Sequence, residues 1–174
     1  GDPESCPDEE QVYARLGLDW IPPELREDQG EIAAAAAHAL PTLVRLRDIK
    51  GDLHGHSDAS DGKATPTEMA RAAQARGLTY YAVTDHSKAV GMGIGLDAAQ
   101  TLANAKRVRK AAKPLLEEGF HLLTGIEVDI LPGGQLDLPD EVLAELDWVV
   151  ASAHGTRGQD RDALTASMIA AIEH

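Results

Sequence analysis

From residue 51 onward, short apolar runs alternate with stretches that carry helix-capping residues, a pattern that predicts a mostly parallel α/β layer arrangement or barrel. In "ATPTEMARAAQARGL", Thr65 is placed as N-cap, Pro66 at the first helical position and Glu68 as the reciprocal partner; Gly77 ends the helix. "LTYYAVTDH" reads as a buried strand whose polar residues are kept for its carboxyl end. Asp97 with Gln100 makes a second capping box and opens a long helix through "AQTLANAKRVRKAAKPLLEEG", in which Pro114 predicts a kink or break. "FHLLTGIEVDIL" and "DWVVASAH" are further strands, with "LPDEVLAEL" as a short helix between them. "DALTASMIAAIEH" is a final helix with Leu164, Met168 and Ile172 at four-residue steps.

Residues 1–50 follow a different pattern. One short helical stretch (Val12, Leu16) is followed by Trp20, a Pro22-Pro23 break and the alanine-rich "GEIAAAAAHAL", which is helix material of weak amphipathicity holding His38. This predicts a helical linker or the end of another domain over 1–50, ahead of the chemistry-bearing segment 51–174.

Composition narrows the picture. At 174 residues and 43% hydrophobic, the chain can build one sizeable core, so one compact domain is the default. Its 16 basic and 29 acidic residues give a net charge of -13, which opposes nucleic-acid binding unless metals or a local patch reverse the field. One Phe, two Trp and three Tyr leave few platforms on which bases could stack. The single Cys6 excludes an internal disulfide framework and, being remote in sequence from the histidine segments, argues against a thiolate zinc site. No apolar run approaches the roughly 20 residues needed to cross a bilayer, and no signal-like amino end is present, so a soluble cytoplasmic protein is expected.

The chemistry gathers at strand ends. "GDLHGH", "AVTDH", "GIEVD" and "VVASAH" all finish in ionisable residues, and in parallel α/β folds the carboxyl ends of strands share one face. His54, His56, His86 and His154 supply imidazoles there. Asp61, Asp85, Glu127 and Asp129 supply carboxylates, a donor set suited to zinc, manganese or iron. In an extended segment, residues two apart share a face, so His54 and His56 can reach one ion together. Asp85 is expected to orient His86 or to bind an ion weakly, and Asp52 to fix a histidine tautomer. His38, His121 and His174 are assigned ordinary structural roles, and Ser57, Ser60 and Ser87 turn hydrogen bonds. "VGMGIGLD" lacks the lysine of a phosphate-binding loop and the dinucleotide fingerprint, so it reads as a flexible rim beside Lys88. Lys106, Arg107, Arg109 and Lys110 form a basic block on the long helix, read first as ordinary helix surface and, should it face the site, as a contact for a phosphate backbone.

"GDLHGHSDASDG", "YYAVTDHS", "LTGIEVDILPGGQLDLPDEVL" and "VVASAHG" closely resemble the amino-terminal half of a PHP (polymerase and histidinol phosphatase) domain, in the form attached to bacterial family X DNA polymerases. "VYARLGLDWIPPELRE" resembles the end of the polymerase portion and the linker into that domain. The resemblance implies a distorted seven-stranded β/α (TIM-like) barrel, of which 51–174 is the amino-terminal part. It also implies up to three divalent ions, manganese or zinc. His54, His56 and Glu127 would serve one ion, Glu127 and His154 a second, and Asp61 with His86 the third; His54, His56, Glu127 and His154 would be the catalytic set. Later family segments supply further ligands, so the resemblance implies an incomplete barrel and cluster in this chain, with full activity expected of the parent protein and much slower or no activity of residues 1–174 alone. The implied activity is hydrolysis of DNA phosphoesters: a 3'-5' exonuclease, with end-processing or abasic-site cleavage in repair. Its implied partners are DNA through the parent protein, the remaining PHP segment, the polymerase domain and, across the exposed sheet edge, another copy of the chain. Two other readings stand beside it: a small-molecule phosphatase of the histidinol phosphatase type, and a non-catalytic module that supports a polymerase.

Overall fold

The computed structural model describes residues 6–91, 93–156, 158 and 160–174, which fall into two compact units, 1–45 and 46–174. The first holds two short helices, α1 (Glu9–Arg15) and α2 (Glu31–Ala36). Asp8 caps α1 through the Gln11 amide, and Glu31 reaches back to the amides of Asp28 and Gln29 ahead of α2. Among the described residues of this unit, Ile21 and Ala35 are the buried apolar ones, while Leu16 and Ile32 stand exposed. Polar contacts do much of the joining: Glu9 accepts from Nη1 and Nη2 of Arg26 at 2.8 Å and from the Trp20 indole at 3.0 Å. His38 lies past the end of α2 with φ +53°, not inside a longer helix, and its Nδ1 is 2.8 Å from Asp19.

The second unit carries four strands: β1 (Gly51–Asp52), β2 (Tyr80–Val83), β3 (His121–Asp129) and β4 (Trp148–Ser152). All pair in parallel in the order β1-β2-β3-β4, with Tyr81 opposite Leu122 and Glu127 opposite Val150. Consecutive order is how a β/α barrel winds, whereas an open doubly wound sheet reverses at a switch point. The helices between are α3 (Pro66–Ala75), α4 (Ala98–Glu117) and α5 (Asp140–Leu143), with α6 (Arg161–Ile172) after β4. Both capping boxes form, Thr65 with Glu68 and Asp97 with Gln100. Gly77 follows α3 at φ +82°, a conformation that a side chain would strain.

α4 runs unbroken through Pro114. The proline sits one turn from the helix end at an exposed position, and Lys110, whose carbonyl it deprives of a partner, is an exposed residue too. β1 is shorter than the histidine motif suggests. The backbone of Gly55 turns to Thr84 instead, donating to its hydroxyl and accepting from its amide.

Alternation along β3 decides which chemistry goes where. Leu122, Ile126 and Val128 point into the apolar layers, the first with Ala70, Ala73, Tyr81, Val83, Val108, Leu115 and Phe120, the other two with Leu96, Leu138, Val142 and Leu143. Glu127 and Asp129 therefore project from the opposite face at the carboxyl end of the strand. Full burial of each large side chain such as Phe120, Leu115 or Ile126 contributes about 1.5–3 kcal/mol, enough to fix the strand whose other face is polar.

Candidate metal centre

Three segments converge on Glu127. His54 and His56 follow β1, His86 extends past β2 and bridges Glu127 in parallel register, and His154 begins the turn after β4. One carboxylate oxygen, Glu127 Oε2, lies 3.3 Å from His54 Nε2, 3.1 Å from His56 Nε2 and 3.0 Å from His86 Nδ1. The other oxygen, Oε1, is 3.5 Å from His154 Nε2. Asp61 Oδ1 is 2.7 Å from His56 Nδ1, and its Oδ2 is 3.7 Å from His86 Nε2. The rings of His54, His56, His86 and His154 stand side by side, neighbouring centroids 5.4, 4.2 and 5.2 Å apart.

Three sets of ligand atoms thus lie close enough to share an ion: His54–His56–Glu127, His56–Asp61–His86 and His86–Glu127–His154. The residues fit such a group on a further count. Glu127 Oε2 and His86 Nδ1 are buried without a well-formed hydrogen bond, a costly arrangement for a carboxylate oxygen unless a cation completes it. Glu127 and His86 side chains are 5% and 9% exposed, whereas those of His54 and His154 are 47% and 40% exposed, so the cleft has a closed floor and an open mouth.

The electrostatics follow the same layout. Burial lowers the His86 pKa; the Glu127 charge opposes that fall, and His56 and His154 add to it. Burial would raise Glu127, but contact with His54 and the charge of His86 outweigh it and hold the carboxyl below its ordinary value. Asp61 is likewise raised by burial and then carried below its ordinary value by His56. Asp129 goes the other way: burial raises it, and His154 only partly offsets the rise.

Several supporting roles differ from those the sequence suggested. Asp52 accepts from the His54 backbone amide at 3.0 Å and touches no ring among the described hydrogen bonds; Asp61 stands at Nδ1 of His56 and Asp129, at 3.2 Å, at Nδ1 of His154. Asp85 does not orient His86. Its carboxylate is taken up by Ser57, Ser60 and Asn104. Asn104 went unread, although an asparagine at the position where α4 buries Thr101, Ala105 and Val108 is a visible break in an apolar stripe. Gly55 is required between the two histidines, since a Cβ there would fall 1.8 Å from the buried Tyr81 hydroxyl. That hydroxyl is pushed up to about 12, first by burial and then by the charges of Asp52 and Asp85. His121 sits at the far end of β3, His174 pairs with Asp140, Arg107 with Asp58, and Arg109 with the Glu145 carbonyl.

Comparison with known proteins agrees with this architecture. A sequence model of the PHP domain matches residues 52–166, and one of the DNA polymerase beta thumb matches residues 1–27. The chain is 42% identical over 159 residues, 91% of its length, to a Bacillus subtilis protein named DNA polymerase/3'-5' exonuclease PolX, of which it covers 27%. It is 36% identical over 105 residues, 59% of its length, to a probable phosphatase of Acetivibrio thermocellus, covering 40% of that protein. A probable phosphatase of Vibrio vulnificus is 35% identical over 109 residues, 62% of the chain and 41% of the relative. The chain therefore spans between about a quarter and two fifths of these relatives' lengths.

Proposed function

Because the chain belongs to the PHP domain family, with a polymerase-thumb-like segment ahead of that domain, we propose that its histidine–carboxylate cleft hydrolyses phosphoesters with divalent metal ions. The observation that carries this reading is the convergence of four imidazoles from three chain segments on the two oxygens of Glu127. A neutral imidazole has one lone pair, so His56 and His86, which each stand in two of the three ligand sets, serve one ion at a time. Using each ring once gives two ions. His54, His56 and Glu127 would hold one, and His86, Glu127 and His154 the other. Asp61 then accepts the Nδ1 proton of His56, and Asp129 that of His154, leaving both Nε2 lone pairs facing the cleft.

Divalent ions held there would supply an activated water at neutral pH and neutralise charge on the phosphoryl oxygens. Glu127 is an anchor rather than a proton acceptor, since both its oxygens face the ligand nitrogens. The open side at His54 and His154 admits the substrate, and the buried floor at His86 excludes bulk water. The four strands are read as part of a seven-stranded family barrel.

We assign DNA as the substrate, with 3'-5' exonuclease or repair end-processing activity, in a cytoplasmic protein whose polymerase segments are its partners. The thumb match and the name of the Bacillus relative support this assignment, and the net charge of -13 makes it depend on the metals. Relatives named as probable phosphatases favour a second reading, in which the substrate is a small phosphomonoester. The chain with manganese, tested on labelled single-stranded DNA, abasic duplex and histidinol phosphate, separates them. Nucleotide release from the 3' end that is abolished in a His54→Ala/His56→Ala double variant supports the DNA assignment. Turnover of histidinol phosphate alone replaces it with the second. The same double variant is expected to lose metal affinity by more than ~100-fold in ion titration, and equal binding by both proteins rejects the ligand set.

A further inference from the structure

Asp85 is fully buried and touches none of the proposed ligand rings among the described hydrogen bonds, yet it is the most heavily bonded carboxylate of the second unit. Its Oδ1 accepts from the Ser57 amide and the Ser60 hydroxyl, both at 2.7 Å. Its Oδ2 accepts from the Ser57 hydroxyl at 2.7 Å and from the Asn104 side-chain amide at 2.8 Å. These donors fill both oxygens, so the charge is stabilised without a metal. Three of the four come from the turn 57–60, and the next residue is Asp61, whose carboxylate is the partner of His56 Nδ1.

We infer that Asp85 is a positioning residue that moors the 57–61 turn to the sheet, so that exposed Asp61 is held against His56. The rest of the turn has weak moorings. Asp58 pairs at the surface with Arg107, its amide bonds the Ala64 carbonyl, and the Ser60 hydroxyl lies 3.3 Å from Asp61 Oδ1 while it donates to Asp85. A fully buried carboxylate acceptor fixes the turn more firmly than those surface contacts do. The orientation of the His56 ring is then set at second remove, from β2 through Asp85, Ser60 and Asp61. The link to metal affinity rests on the metal-site reading above; the mooring itself does not.

The test uses the full chain, with histidine side chains labelled for NMR, metal-free and at a pH where the rings are neutral. In the parent chain, His56 is expected to show a single tautomer with its Nδ1 proton protected, and His154 the same through Asp129. Asp85→Asn should scramble or expose the His56 signal and leave that of His154 unchanged. Asn104→Ala, which alters the same carboxylate from its α4 side, should lower the melting temperature and preserve the His56 signal. Ser60→Ala should move the His56 signal in the direction of Asp85→Asn, which keeps the inference testable if the buried variant does not fold. Manganese titration of the folded variants should then show affinity lowered by ~10–100-fold in Asp85→Asn and by less in Ser60→Ala. An unchanged His56 signal in both Asp85→Asn and Ser60→Ala overturns the mooring, as does an equal loss in Asn104→Ala. If the parent chain takes up no manganese, the metal-site reading fails, and the ring signals still decide the role of Asp85.

Discussion

Both units contain an arginine–glutamate fork, and the two forks are embedded in different surroundings. In the first unit, Arg26 and Trp20 meet on Glu9, and among the described residues the only buried apolar side chains are Ile21 and Ala35. In the second, Arg71 on α3 forks onto Glu118 just past α4, above a layer that includes Phe120, Leu115, Val108 and Leu122. The same chemistry thus carries much of one unit's cohesion and is an accessory in the other. A surface ion pair has little intrinsic worth, and its importance depends on what else joins the elements it bridges.

The largest effect is expected where the second unit depends on its core. Phe120→Ala removes a 1%-exposed ring between α4 and β3 and should cost about 3–5 kcal/mol in denaturant unfolding of the second unit. A loss below about 1 kcal/mol would mean that the apolar layer is not what distinguishes the two units.

Next comes the fork that lacks a large core. Glu9→Gln keeps the shape and removes the charge that Arg26 and the Trp20 indole share, so the first unit should open locally. Hydrogen exchange at the Asp19 amide, which donates to the Ala35 carbonyl, should speed up severalfold, while the unfolding midpoint of the second unit stays put. Unchanged exchange at Asp19 would show that Ile21 and Ala35 suffice and would erase the contrast.

Legibility in the sequence divides along physical lines. Both capping boxes and the Gly77 stop were readable because the interacting groups lie within one helical turn. β3 was readable because burial of Leu122, Ile126 and Val128 leaves Glu127 and Asp129 on the other face. The strand at the histidine motif was overread. Apart from Gly51 and Asp52, that segment is held by Thr84, about thirty residues away, and no local pattern encodes this bond. Asp85 was misjudged for a related reason: its partners Ser57 and Asn104 come from opposite directions along the chain, and adjacency to His86 suggested the wrong one. The sharing of His56 and His86 between ligand sets was invisible, since it depends on which ring nitrogen faces which carboxylate. The division at residue 45 also lies a few residues ahead of the composition change at 50.

The smallest effect belongs to the second fork, and its pH dependence identifies it. The Arg71 guanidinium, and after it Gln74, holds the Glu118 carboxyl at about 2, below the ordinary 4.5. A depressed folded value means that the fork's contribution is complete above the ordinary value and is lost as pH falls from there through about 2. Glu118→Gln lacks that contribution at every pH. The urea midpoints of the two proteins should therefore differ slightly at neutral pH, as expected for an exposed pair above an intact core, and converge as the medium is acidified across this window. A gap that persists to the acid end would mean that the glutamine disturbs packing at the end of α4 rather than removing a charge. A large neutral gap would make this fork as important as that of Glu9 and would end the distinction between the two units.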